Sequence, residues 1–404
     1  MRCIARVLTL LSLVGAGCGD DGKPSPRPPS EPDAGETMDA AAPREAGPPP
    51  PKDAGTDAAE ARDAGGIPSE TPDLLSAWNL FDDLEKLVPI ERVVPYDMRS
   101  PLFTDYAAKR RFIYLPKGKT ITYTDVGAWQ FPVGSILIKH FSYPLDEAKP
   151  EAGERSIETR LLIHREEGWD PEVYVWNAEQ TDAKRDVTGE VISVTRKAPD
   201  GMATTFDYGV PSRSECRKCH GTTPAIEGAQ PTRTLGPMTG QLNMDHDYGK
   251  GPVNQIDHFA ALGFFDRAPP ALKDRLSFPL PTDTAVPVSE RARAYLQANC
   301  AHCHGERGEV FDKQLSFDWV STAPGADPFK WGVCKQPTSA GNAECTSTLD
   351  IVPGDPDNSL LVCRMESLGK GKMAPLGRNL VHKEGVALIR EWIAGLTLPS
   401  CAAE

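Results

Sequence analysis

Ile136-Leu-Ile-Lys-His-Phe141, Thr159-Arg-Leu-Leu-Ile163 and Glu172-Val-Tyr-Val-Trp176 decide the first half of the fold. Each is a short run of β-branched, aliphatic and aromatic residues, too brief for a stable helix and of the composition that packs on a pleated surface. Working outward, Phe112-Ile-Tyr-Leu-Pro116, Thr120-Ile-Thr-Tyr-Thr124 and Glu190-Val-Ile-Ser-Val-Thr195 have the same character. Turn chemistry separates them at Pro116-Lys-Gly118, Gly134, Glu167-Gly168 and Pro199-Asp-Gly201. An antiparallel sandwich or barrel-like domain of six or more strands is expected over residues 74–205. Leu75, Trp78, Leu80 and Phe81 suggest a short helix at its entrance.

Toward the N-terminus the composition changes. Residues 19–73 hold 13 Asp/Glu against 5 Lys/Arg, so most of the net charge of −13 lies in that stretch. It contains 12 of the 38 prolines, and Asp-Ala-Gly recurs at 33–35, 53–55 and 63–65. With almost nothing apolar to bury, it reads as a disordered tether, with a reach of about 40 Å as a flexible coil. The mildly acidic remainder lacks the basic footprint of a nucleic-acid binder. Residues 1–18 read as an export signal: Arg2 and Arg6, an apolar run from Val7 to Val14, then Gly15-Ala16-Gly17 before Cys18. Small residues directly before a cysteine resemble the lipobox of bacterial lipoproteins, although Gly15 stands where that family prefers Leu. The resemblance implies a lipidated Cys18 and a membrane-anchored protein facing the periplasm or cell surface. No other segment is long and apolar enough to span a bilayer, so a transmembrane helix is not expected.

Beyond residue 205 two motifs dominate: Cys216-Arg-Lys-Cys-His220 and Cys300-Ala-His-Cys-His304. Two thiols three residues apart can add to the two vinyl groups of haem, and the following His is then fixed beneath the iron. A structural zinc site would need further ligands at short spacing, and a redox dithiol has no need of the His. Two covalently bound c-type haems are the expectation, with Cys216, Cys219, Cys300 and Cys303 as attachment points and His220 and His304 as proximal ligands. The first motif sits in Gly/Pro-rich coil over 206–283, and a Pro-rich hinge leads to a helical pattern over 288–401. There Ala292, Tyr295 and Leu296 precede Cys300, and Val386, Ile389, Ile393 and Leu396 share a helical face.

Residues 288–398 resemble class I cytochrome c. The resemblance rests on the helix leading into Cys300-Ala-His-Cys-His-Gly305, on Lys372-Met-Ala-Pro-Leu-Gly377 and on the closing helix around Glu384–Ile393. It implies an all-α domain with Met373 as distal ligand; His382 and Met365 are the other candidates. More broadly, residues 74–398 are similar to a family of exported two-haem cytochromes. Pro101-Leu-Phe-Thr-Asp-Tyr-Ala-Ala-Lys-Arg-Arg111, Phe131-Pro-Val-Gly-Ser-Ile-Leu-Ile-Lys139, Glu158-Thr-Arg-Leu-Leu162 and Tyr174-Val-Trp-Asn-Ala-Glu-Gln-Thr-Asp182 carry that likeness. So do Leu235-Gly-Pro-Met-Thr-Gly-Gln-Leu-Asn243 and Asn254-Gln-Ile-Asp-His-Phe-Ala-Ala-Leu-Gly263, which also resemble haem domains found with some soluble sugar dehydrogenases. The distal ligand of the first haem stays open among Met238, Met244, His258, His246, His164 and His140, with a five-coordinate iron as the remaining choice.

Four further cysteines, Cys334, Cys345, Cys363 and Cys401, suit two disulfides in an exported chain. The simplest pairing is Cys334–Cys345 with Cys363–Cys401. The Lys109-Arg110-Arg111 run reads as a solvated face or a docking patch for an acidic partner. The expected fold class is multidomain α+β: an antiparallel β-rich sandwich-like domain, a coil-rich haem segment, then an all-α class I cytochrome c domain. The expected function is single-electron transfer between a redox donor and acceptor, with no catalytic residues. The alternatives are a di-haem peroxidase-like enzyme open at the first haem, and a partner- or glycan-binding module that carries haems.

Overall fold

Alternation of side chains along a strand gives each apolar run two faces, and here both are covered. The computed structural model describes residues 67–222, 232–310, 313–338 and 344–401. Strands β1 (Phe81–Asp83) and β2 (Val88–Pro89) form a small hairpin. Then β3 (Val93–Tyr96), β4 (Ala108–Tyr114), β5 (Ile136–Pro144), β6 (Glu154–Arg165), β7 (Gly168–Trp176) and β8 (Ala183–Arg185) make one antiparallel sheet in chain order. A second hairpin, β9 (Glu190–Lys197) and β10 (Ala203–Val210), stands apart from that ladder. Phe112, Ile138, Leu161 and Ile163 face one core with Trp78 and Trp176, whereas Ile113, Leu137 and Leu162 face another with Trp129, Ile256 and Phe259. Burying each such aliphatic side chain stabilises the fold by about 2 kcal/mol before chain entropy is counted.

Three details of the β region differ from the sequence expectation. Thr120–Thr124 makes only isolated bridges, from Ile121 to Phe265 and from Thr122 to Gln130; Ile121 and Tyr123 still bury their side chains in the core. Ser76–Trp78 is a single 3-10 turn, and Phe81 beyond it is already in β1. Strand β10 was not expected; it ends three residues before the helix that carries the first cysteine motif begins. At the other end, the tether closes onto the sheet before residue 74. The Tyr174 hydroxyl donates to the Pro72 carbonyl (2.8 Å), and the Arg185 amide to that of Asp73 (2.8 Å). Cys18 and residues 19–66 of the tether lie outside the described residues.

The region 288–401 corrects a larger expectation. No all-α class I cytochrome c domain forms among the described residues, where strand outweighs helix and six short α-helices occur. They are α1 (Arg213–His220), α2 (Thr239–Leu242), α3 (Gln255–Ala261), α4 (Val288–Asn299), α5 (Leu360–Glu366) and α6 (Lys383–Ala394). Only the last three belong to 288–401. Between α4 and α5, Pro324, Pro328, Pro337, Pro353 and Pro356 interrupt any helical run. The chain there folds as loops held by single parallel bridges, Val333 to Ile351 and Leu349 to Ser359. Val386, Ile389 and Ile393 of α6 do share one buried face, packed with Ala292 and Leu296 of α4. All described residues belong to one compact unit.

The cysteine pairing also differs. Cys334 bonds Cys401, and Cys345 bonds Cys363. After α6 the chain returns to the Val333 segment, where Leu396 and Leu398 pack in the same core as Cys334. That return carries Cys401 to Cys334 and leaves Cys345 to the cysteine on α5.

His140 on β5 supplies a pH test of the sheet. It is fully buried, its Nδ1 lies 2.9 Å from the Thr159 hydroxyl, and its Nε2 has no partner among the described residues. Burial, with a smaller effect from Arg110, lowers its pKa from 6.5 to about 3. The unfolded chain therefore takes up this proton first. The contribution is intact above pH 6.5 and is lost, at up to about 1.4 kcal/mol per pH unit, as the pH falls from 6.5 toward 3. Urea unfolding at pH 7 and pH 4.5 should show a smaller loss in His140→Gln than in the native chain. An equal loss in both would contradict this account.

Candidate functional site

The first cysteine motif is carried by α1, directly after β10. Ser212 caps this helix in a reciprocal pair with Glu215: its hydroxyl accepts the Glu215 amide N–H (3.3 Å), while the Glu215 carboxylate accepts the Ser212 amide N–H (3.0 Å). Cap and strand end together fix the direction in which Cys216, Cys219 and His220 project. The second motif begins at Cys300, the residue that caps the C-terminus of α4, and turns tightly: the Cys303 and His304 amides both donate to the Cys300 carbonyl (3.1 and 2.9 Å). The turn needs glycine, since a Cβ on Gly305 would lie 2.7 Å from the Ala301 carbonyl oxygen, and one on Gly308 would collide with that of Cys303.

Both motifs open onto one cavity of ≈ 720 Å³. Its size is within the range of small-molecule and cofactor sites. Cys216, Cys219, His220, Cys300, Cys303 and His304 all line it. The motifs also touch: a sulfur of Cys219, a sulfur of Cys303 and a ring nitrogen of His302 lie within 4.8 Å of one another. The Cys219 thiol is held below its usual range, first by its hydrogen bond with Cys303 and then by His302, while that of Cys303 is pushed up. Burial raises Cys216 to about 11 and Cys300 to about 12.

The residues fit haem in two respects. The four motif cysteines remain thiols, while the other four described cysteines pair as disulfides. His220 could act as a ligand through Nε2: its Nδ1 lies 3.0 Å from the Arg233 carbonyl oxygen, which can only accept, so Nδ1 carries the proton and Nε2 the lone pair. Burial keeps both His220 and His304 neutral, at about 4, as metal ligation requires. His304 packs edge-on to Phe317, and its Nδ1 is buried without a partner among the described residues.

Met373 lines the same cavity, as do Met365 and His382. Met365 is also a core residue, and the His382 ring is engaged by Tyr295 (3.1 Å) and stacked on Phe103. Of the six candidates for the first distal position, Met238 alone is on the cavity wall. His140 lies on the far face of the sheet, because the period of two that turns Lys139 toward the cavity turns His140 away. His164 stacks on Trp169, His258 stacks on Tyr248, and His246 bonds Asp97 at 2.9 Å. Met244 is not on the wall.

Three positioning residues escaped the sequence reading. Arg233 ties the motifs together, its carbonyl accepting from His220 and its guanidinium donating to the His302 carbonyl at 2.9 Å. Arg378, buried at 6% exposure, donates to the carbonyls of Met373 (3.0 Å), Arg364 (3.0 Å), Ser367 (2.8 Å) and Leu380 (3.2 Å), and so holds the Met373 loop. Asp105, in the left-handed region with φ 47°, accepts the amides of Asn379 (2.8 Å) and Leu380 (2.7 Å), anchoring that loop to the β region. No periodicity marks any of the three; Asp105 does fall within the Pro101–Arg111 stretch quoted above, but nothing in that stretch gave it a role. The Lys109-Arg110-Arg111 run is not a uniform solvated face either. Arg110 pairs with Glu154, whereas Arg111 is buried in the cavity wall.

Among the described residues no helix is long and apolar enough to cross a membrane. A scan against family models finds no match, and neither a search of curated proteins nor one of solved structures returns a relative.

Proposed function

We propose that this chain is an exported di-haem c-type cytochrome that passes single electrons between redox partners. The observation that carries the reading is the convergence of two C-x-x-C-H motifs, 84 residues apart in sequence, on the walls of one cavity. Haem held there supplies one-electron exchange at iron. Cys216 and Cys219 attach the first group, Cys300 and Cys303 the second. His220 would present Nε2, its tautomer set by Arg233, His304 would supply the imidazole for the second group, and Met373 would offer a thioether from the loop that Arg378 holds. With donor atoms of Cys219 and Cys303 within 4.8 Å, groups attached there would lie close enough for exchange within the chain. The reading includes a lipid anchor on Cys18 and a place on the periplasmic or outer face of a membrane. Partners are a redox donor and an acceptor protein.

Material from a host that exports and attaches c-type haem should retain colour through denaturing electrophoresis and give two haems per chain as the pyridine haemochrome. Met373→Ala should remove the long-wavelength charge-transfer band of thioether-ligated ferric haem. A colourless product sinks the reading, and an unchanged band sinks the Met373 assignment. The trio Cys219, His302 and Cys303 favours a second reading, since two thiolates and an imidazole are a soft set suited to zinc. One zinc per chain without haemochrome would replace the first reading by the second.

A further inference from the structure

Strands β4, β5 and β6 carry Arg111, Lys139 and Arg160 side by side: Arg111 is in register with Lys139, and Lys139 with Arg160. Alternation puts all three on the face that bears Ile113, Leu137 and Leu162, and all three line the cavity. Adjacent strands are about 4.8 Å apart, so the row runs roughly 10 Å from Arg160 to Arg111. At one end Arg160 lies over the Phe141 ring (4.4 Å), in the cluster against which Cys216 packs, and His220 lines the same cavity as Lys139.

The row has more positive charge than its surroundings balance. Glu158, fully buried, accepts two bonds from Arg160 (2.8 and 2.5 Å) and one from the Tyr208 hydroxyl (2.5 Å). Arg111 is 7% exposed, and its guanidinium makes no hydrogen bond or ion pair among the described residues. Asp97 is near enough to act on it but is bonded to His246. Lys139 has the Phe141 ring at 4.9 Å and no ion-pair partner among the described residues. Lys109 lies over the same ring and donates to the Ala107 carbonyl (2.9 Å); burial, then Arg111 and Arg160, lowers it to about 7, so it adds little to the charge of the row. Burial, then repulsion from Arg111, Lys109 and Arg160, holds Lys139 well below the usual lysine range. Cations at strand spacing on a desolvated wall are costly until an anion completes them, and the guanidinium fork matches a carboxylate.

We infer that Arg111 and Lys139 seat the propionate carboxylates of the haem attached at Cys216 and Cys219. This rests on the haem reading above. Thioether bonds fix the vinyl edge of such a group near the Arg160 end of the row. Propionates leave the opposite edge, and the cations still lacking a partner lie in that direction. A free anion entering the cavity is the other source of the same charge, and the experiment separates the two.

The test uses the full haem-loaded chain, with resonance Raman of the propionate bending bands and a spectroelectrochemical titration. Lys139→Met and Arg111→Gln should each shift those bands for one haem and lower its midpoint, since losing a nearby cation favours the ferric state; the other haem should not move. Arg111→Lys should restore most of the shift. Lys139 is part-exposed, so Lys139→Met remains informative if Arg111→Gln fails to fold. Native bands and midpoints in both variants overturn the inference. So does a native midpoint that follows added inorganic phosphate to saturation but ceases to do so in Lys139→Met, which would make the row a free-anion site. Haemochrome counts on the same samples distinguish the failures. Without two haems the cytochrome reading falls and takes the inference with it; with two haems and unmoved bands, the inference alone falls.

Discussion

On the proposed di-haem reading, changing both Cys300 and Cys303 to Ser is expected to halve the haem bound per chain, from two to one. The thioether bonds are the only covalent hold that this motif offers, and the His304 ring by itself provides a single coordinate bond. Cys216→Ser with Cys219→Ser should give the complementary half, with the surviving spectrum belonging to the other iron. Pyridine haemochrome per chain, measured after denaturing electrophoresis, reads both results. Retention of two haems by either double variant would show that attachment lies elsewhere. Loss of both from one variant would show that the motifs are not independent, an outcome made credible by the contact between Cys219 and Cys303 and by the Arg233 bridge. Under the zinc reading, Cys303→Ser alone should abolish metal binding, because it removes one of the three donors assembled among the described residues.

Removal of the Cys334–Cys401 bond is expected to cost about 4 kcal/mol, against about 3 kcal/mol for Cys345–Cys363. The difference follows from the loops closed: sequence separations of 67 and 18. A longer loop restricts the unfolded chain more. Cys334→Ser with Cys401→Ser should therefore lower the melting temperature by on the order of 8 °C, and more than the other double variant does. The return of the chain after α6, which brings Leu396 and Leu398 into the core, should loosen first and show faster amide exchange. A peptide map under non-reducing conditions checks the premise. Recovery of a Cys334–Cys345 peptide would reinstate the simpler pairing and reverse the ranking.

Local chemistry was legible wherever neighbours in sequence act together. The C-x-x-C-H spacing sets two thiols and an imidazole together within five residues, and in both motifs those side chains line the cavity. The runs at 136–141, 159–163 and 172–176 form strands because their composition suits a pleat covered on both sides. The face of α6 follows from a period of 3.6. The all-α expectation for 288–401 failed for a related reason. Helices α4 and α6 occur where the pattern places them, but the long proline-interrupted stretch between them has no helical period, and likeness at two ends does not determine the middle. Thr120–Thr124 shows the converse: β composition can be satisfied by burying Ile121 and Tyr123 without a ladder.

By itself the sequence determined two C-x-x-C-H motifs, a set of two-faced strands and a pair of amphipathic helices, since these depend on residues a few positions apart. Tertiary structure alone decided which strand face meets the cavity, and so placed Lys139 rather than His140 on its wall. It likewise decided the disulfide pairing, the meeting of Cys219 with Cys303, and the anchoring of the Met373 loop by Arg378 and Asp105. Those contacts join most of their partners across tens to hundreds of residues. Such pairs have no period or spacing to read, because what brings them together is the burial of the cores between them.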